Sequence, residues 1–130
     1  MQTLSLLNIG PPVFTKALPL VLNVTVGEPV SYTLPSITDP DLDQYFVLVY
    51  LSQSMPFTNF EVTSHTLRFN PSNANVLAKP YQISIVLEDR NPYPKGSKYI
   101  ISVNVFPSNE TFITNQNDQD FVSMKILKVF

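Results

Sequence analysis

Twelve prolines break the 130-residue chain into short runs. A proline inside a helix costs about 3 kcal/mol, through a lost backbone hydrogen bond and a ring clash with the preceding turn, so long helices are excluded at this density. Strands remain, and the runs between prolines are patterned for them. Leu20, Leu22, Val24 and Val26 alternate with Val21, Asn23 and Thr25, and Val30, Tyr32 and Leu34 follow the turn VGEP. Leu67 and Phe69 flank Arg68; Tyr81, Ile83, Ile85 and Leu87 alternate through YQISIVL, and Tyr99, Ile101, Val103 and Val105 through YIISVNV. A period of two places each set on one face of a strand. The run YFVLVYLSQ is apolar on both faces near its centre, the pattern of a middle strand covered on both sides.

Seven strands follow, at 20–26, 29–34, 45–53, 58–63, 66–70, 81–89 and 98–106. Short strands separated by turn signals predict an all-β fold, a seven-stranded antiparallel Greek-key β-sandwich. The expected domain occupies 11–106, with 1–10 a stub or linker from a preceding segment. Residues 107–130 are expected to supply a linker, TNQNDQD, and in FVSMKILKVF an additional strand or the start of a following repeat. LSLLNIGPPVF and ISVNVFPSNETF share a rough shape, with Phe14 and Phe112 standing 98 positions apart. A repeat of roughly that length is what tandem β-sandwiches show.

The balance of residue types narrows the function. A hydrophobic share of 44% with 14% charged residues is that of a folded chain. A net charge of -2 without any Lys/Arg run offers no electrostatic footprint for nucleic acid or an anionic membrane, so neither partner is expected. The lack of cysteine removes disulfides, thiolate zinc sites and a Cys nucleophile. No apolar stretch reaches the roughly 18 to 20 residues that span a bilayer, and MQTLSLLNIG lacks the basic start and small-residue cleavage site of a signal peptide. Met1 is therefore read as a boundary within something longer.

Only ten residues are acidic, yet TDPDLD places Asp39, Asp41 and Asp43 on alternate positions. If successive strands alternate in direction, the connections at 35–44, 64–65 and 90–97 share one end of the sandwich. Asp39, Asp41, Asp43, Glu88 and Asp89 then gather on one rim. Carboxylates so close repel one another unless a cation or water lies between them. Two readings fit: a calcium site, or a turn in which Asp side chains accept backbone N–H groups and Pro40 presets the chain. An EF-hand does not fit, because Gln44 and Tyr50 stand where its loop needs Gly and Glu.

PPVF, VTVGEPVSYTLPSITDPDLD, MPFTNF and YQISIVLEDRN followed by YIISVNV occur in an order and spacing that resembles a cadherin-like repeat of the dystroglycan type. The resemblance covers most of residues 11–106. It implies an immunoglobulin-like β-sandwich serving as a rod-like or adhesive module, arranged in tandem and in some members rigidified by calcium between neighbours. It places Asp39 and Asp41 on the family's D-x-D and Asp89 on a further calcium-binding aspartate, with Asp43 or backbone carbonyls completing the set. The chain departs from the pattern too. Asn8 stands where an acidic linker would supply ligands, NPSNANVLAKPY has no L-D-R-E motif, and FPSNETF holds only Asn109 and Glu110. Calcium takes six to eight oxygens, so a site this poor in charge is expected to bind with a dissociation constant of roughly 10⁻⁴ to 10⁻³ M.

Other motifs have plainer readings. His65, the only histidine, belongs to a turn, and no G-x-S-x-G nucleophile elbow accompanies it. A catalytic carboxylate pair on the rim would need a cleft that nothing in the sequence supplies. Met55, Phe57 and Phe60 read as core, while Tyr93, between Pro92 and Pro94, reads as an exposed aromatic suited to a partner contact or simply to closing a hairpin. Asn23 in NVT and Asn109 in NET are glycosylation sequons. The expected function is a non-enzymatic structural or adhesion module of an extracellular or cell-surface protein, contacting adjacent repeats or other surface proteins, with weak Ca²⁺ as the only cofactor. The alternative is a carbohydrate-binding accessory module, against which the absence of Trp weighs.

Overall fold

The computed structural model describes residues 7–108, and beyond them the backbone of two further strands at Glu110–Ile113 and Lys125–Lys128. The fold is all-β. In chain order the strands are β1 (Val13–Phe14), β2 (Val21–Thr25), β3 (Val30–Thr33), β4 (Ile37–Thr38), β5 (Tyr45–Leu51), β6 (Thr58–Glu61), β7 (Thr66–Phe69), β8 (Tyr81–Asp89), β9 (Gly96–Phe106), β10 (Glu110–Ile113) and β11 (Lys125–Lys128). One sheet has the order β2-β9-β8-β5 and the other β3-β7-β6; β1 pairs with β4 beside them. The strand expected within FVSMKILKVF is β11, which pairs antiparallel with β10 rather than with an edge of either sandwich sheet.

The two sheets close on one core. Ile83, Ile85 and Leu87 of β8, Ile101 and Val103 of β9 and Leu67 of β7 are fully buried, and Val24, Phe69 and Val105 nearly so. Each such side chain contributes roughly 1.5 to 3 kcal/mol over leaving it in water. Met55 and Phe57 join this cluster and Phe60 packs against it, as expected. The period-two reading holds best on β8, where every second residue from Tyr81 to Asp89 is buried. It holds least at the margins, since Leu20 and Val30, expected inside, are 79% and 45% exposed. Tyr81 ties the crossover between sheets to the core by donating its hydroxyl to the carbonyl of Asn75 at 2.7 Å, a contact of the kind called a tyrosine corner in such sandwiches.

Two pairings depart from expectation. β2 runs parallel to β9, with Val21 opposite Ser102 and Thr25 opposite Phe106. β2 leads the chain away from the acidic end, and β9 does the same after its turn, so the two lie alongside one another in the same sense. The second correction concerns YFVLVYLSQ, expected in the middle of a sheet: among the described residues β5 pairs with β8 alone and forms an edge. An apolar run records what a strand's faces touch, whereas its position in the order depends on which neighbours the connections bring alongside.

The ends meet as hairpin parity requires. Tyr45 of β5 pairs with Asp89 of β8, and Glu88 pairs with Gly96 at the start of β9, so the turns 39–44 and 90–95 share one rim.

Candidate metal centre at the acidic rim

TDPDLD is a turn organised by its first aspartate. Asp39, 5% exposed, accepts the backbone N–H groups of Asp41 at 2.8 Å and Asp43 at 3.2 Å on Oδ1, while its own carbonyl accepts Leu42 N–H at 3.0 Å. Leu42 takes φ 59°, the left-handed region that costs a branched side chain of order 1 kcal/mol, and its side chain points to solvent. This tight winding brings the three carboxylates together. Asp39, Asp41 and Asp43 each offer an oxygen within 4.8 Å of the others, so the cluster can hold a metal ion. Like charges so close repel one another, and a cation among them would reverse the sign.

The chain leading into the sandwich is fastened to this rim. Asp41 accepts Ile9 N–H on both carboxylate oxygens, at 3.1 and 3.0 Å, and Gly10 N–H at 3.3 Å. Gly10 lies close against the turn: a Cβ there would come within 3.3 Å of Pro40 Cγ. Asn8, 6% exposed, donates from Nδ2 to Asp89 Oδ2 at 2.6 Å and to the carbonyl of Tyr93 at 2.8 Å. Lys95 donates its ammonium to the carbonyl of Asn8 at 2.8 Å.

Asp89 is the hub of the second turn. It is 2% exposed and accepts Asn91 N–H at 3.3 Å and Lys95 N–H at 3.1 Å on Oδ1, in addition to Asn8 on Oδ2. It thus stands beside the three-carboxylate group rather than in it. Asn91 joins the two turns, donating from Nδ2 to Asp43 Oδ2 at 3.1 Å and accepting Tyr93 N–H at 2.9 Å. Tyr93 itself is 59% exposed.

Two buried oxygens of this network, Asn8 Oδ1 and Asp39 Oδ2, have no hydrogen-bond partner among the described residues. An unsatisfied buried acceptor costs about 1 to 3 kcal/mol, and oxygens of this type are what a hard cation takes as ligands. The donor set therefore fits a metal: a carboxylate triad whose Asp39 keeps one buried oxygen free, with the free amide oxygen of Asn8 on the same rim. Asn8 is the residue that sequence reasoning placed at a gap in the pattern and the structure places at the centre of the rim. Its position two residues before Gly10-Pro11-Pro12 was the only signal. Asn91, in the Asx-like run NPY, carried a turn signal but none for bridging to Asp43.

His65 lies in a turn at φ 53°, stacked on Phe60 with ring centroids 6.2 Å apart. Asn23 is exposed on β2, where its Oδ1 accepts Asn104 Nδ2 at 3.1 Å. Asn109 lies outside the described residues. On the three-stranded sheet an open groove of about 530 Å³ is lined by Ser31, Asn59, Arg68 and Asn70 among others. Its Arg68 is held by Glu61 at 2.7 Å, and this hydrogen bond keeps the Glu61 carboxyl below the ordinary range. The two aromatics of the groove, Phe57 and Phe69, are buried.

No family model matches the chain, and no curated protein matches it. Among solved structures it is similar to a nucleoside hydrolase-related hypothetical protein from Saccharophagus degradans that is associated with carbohydrate metabolism. The identity is 20%, the TM-score 0.57 and the match covers 75% of this chain. The chain spans 26% of that structure, so the likeness is one of fold over a single part of a larger protein.

Proposed function

We propose that the chain is a non-enzymatic structural or adhesion module of a larger extracellular or cell-surface protein, with Ca²⁺ as the ion of its acidic rim. The observation that carries this reading is the stitching of residues 8–10 to the two rim turns, through Asp41, Asp89 and Lys95. A module that grips the chain entering it fixes the direction of whatever precedes it, which is the mechanical requirement of a tandem rod. Calcium suits the site because it tolerates irregular oxygen geometry. Asp39, Asp41 and Asp43 would hold it, with the free oxygen of Asn8 as a neutral ligand. Bound there, the ion would neutralise the clustered charge and lock the incoming segment to the turns. The cadherin-like resemblance points the same way, and an exposed Asn23 suits a glycan on the outer face of β2.

The test is a thermal melt of the chain in chelator and in millimolar Ca²⁺. For a dissociation constant of about 10⁻⁴ M, millimolar ion stabilises the fold by about 1.4 kcal/mol, a rise of roughly 5 °C in Tm. Identical melts in both solutions defeat the ion and leave the module.

The carbohydrate-binding alternative is favoured by the polar side chains of Asn59, Arg68 and Asn70 in the open groove and by the metabolic association of the Saccharophagus structure. Against it, the buried Phe57 and Phe69 present no ring face on which a sugar could stack. Titration with polysaccharides, followed by tyrosine fluorescence, separates the two.

A further inference from the structure

We propose that β5 is a pairing edge for a second copy of this chain, whose own β5 adds antiparallel to it about a two-fold axis through Leu48. Strand edges in native proteins are ordinarily blunted by lysine, proline, a bulge or a covering loop. Among the described residues β5 has none of these. Its seven residues, YFVLVYL, carry no charge and no proline, and among the described residues it has a neighbour only in β8. Phe46, Tyr50 and Leu51 are 42%, 54% and 41% exposed. A groove of about 290 Å³ runs beside it, lined by Val47, Val49, Leu51, Phe60, Val62 and Leu67. The sequence pattern of a centrally placed strand on an edge position is what a strand covered in an assembly would show.

The occupant follows from the strand's symmetry. Read outward from Leu48, the sequence is the same in kind in both directions: Val47 and Val49, then Phe46 and Tyr50. An antiparallel copy centred on Leu48 therefore sets valine against valine, and Phe46 of one copy against Tyr50 of the other, twice.

The backbone agrees with this register. Arg90 N–H donates to the carbonyl of Gln44 and Ser52 N–H to that of Gln82, so the even-numbered positions of β5 exchange hydrogen bonds with β8. The odd-numbered positions, Tyr45, Val47, Val49 and Leu51, direct N–H and C=O to the open edge. Centring on Leu48 pairs odd with odd, Val47 with Val49 and Tyr45 with Leu51, which is the parity needed for hydrogen bonding. Val47 and Val49 pack against the core of their own copy, so those of the second copy enter the groove on the same face. Charge agrees as well: the acidic turn of each copy, ending at Asp43, meets the uncharged Ser52–Ser54 end of the other. The result is one continuous eight-stranded sheet made from two four-stranded ones.

An interface of one strand lies at the small end of specific interfaces, so the dimer is concentration-dependent. Sedimentation velocity on the full chain, from micromolar to near-millimolar, is expected to show monomer passing to dimer. Leu48→Lys and Leu48→Glu each set like charges directly opposite across the axis and abolish the dimer, and an equimolar mixture of the two restores it. Hydrogen exchange on the unaltered chain provides a test independent of either variant's folding. Amides of Tyr45, Val47, Val49 and Leu51 slow by about tenfold or more at high concentration, while those of Phe46, Leu48 and Tyr50 are protected throughout. A chain monomeric at every concentration overturns the proposal. So does a dimer indifferent to L48K in a folded variant, or odd-position amides whose exchange ignores concentration. None of these readouts depends on calcium.

Discussion

Replacing Asn8 with alanine tests whether the incoming segment is held by the rim or merely lies on it. The substitution removes a hydrogen bond to the buried Asp89 carboxylate and a second to the Tyr93 carbonyl. A bond to a charged group is worth about 1.5 to 3 kcal/mol and a neutral one about 1 kcal/mol. Against this, the variant also loses the unpartnered Oδ1 of Asn8, and relief of that buried acceptor returns at least about 1 kcal/mol. The net cost without metal is therefore about 1.5 to 3 kcal/mol. Asp89 keeps its two backbone donors, so the turn 90–95 survives and the loss is not larger. If Ca²⁺ takes Oδ1 as a ligand, as proposed above, that oxygen is satisfied in the native chain and nothing is returned, so the same substitution then costs about 1 kcal/mol more. Urea unfolding followed by circular dichroism, in chelator and in millimolar Ca²⁺, measures both numbers. A cost below about 0.5 kcal/mol in chelator would show that residues 8–10 are not part of the cooperative fold, and the argument for a rigid junction would fail.

Asp39→Asn keeps the Oδ1 acceptor that organises the turn but removes its charge, so it is expected to leave the metal-free melt within about 0.5 kcal/mol while erasing any Ca²⁺-dependent rise in Tm. An equal Ca²⁺ response in this variant would move the ion away from Asp39. Ile85→Ala, at a fully buried position where β8 meets the facing sheet, should cost about 2 to 5 kcal/mol in urea unfolding. A cost near that of a surface substitution would contradict the core. Leu42→Gly removes a left-handed strain at an exposed residue, and after the extra unfolded-state entropy of glycine it should gain up to about 0.5 kcal/mol. Destabilisation of more than about 0.5 kcal/mol would mean that Leu42 is not strained in the native turn.

Much of the site was readable because it rests on local rules. Alternation fixed which residues of β8 and β9 face inward, and the antiparallel hairpins carried the turns after β4 and β8 to one end without any knowledge of side-chain contacts. The Asp39 turn was likewise legible, since Asp before Pro with further polar residues is a local hydrogen-bonding pattern. What the pattern could not weigh was partition: Asp89 was grouped with the other acids, yet it spends its oxygens on Asn8, Asn91 and Lys95. That division depends on where residues 81 positions apart in the chain come to rest.

The sequence by itself determined that this protein is built of strands, because prolines at this density forbid long helices and period two selects the alternative. It also determined which end is acidic, because direction along consecutive strands alternates. The tertiary structure alone decided that β2 lies parallel to β9, that β5 is left at an edge, and that Asn8 closes the rim. These are matters of which segments become neighbours. Neighbourhood is settled by burial summed over the whole chain, which no stretch of residues carries alone.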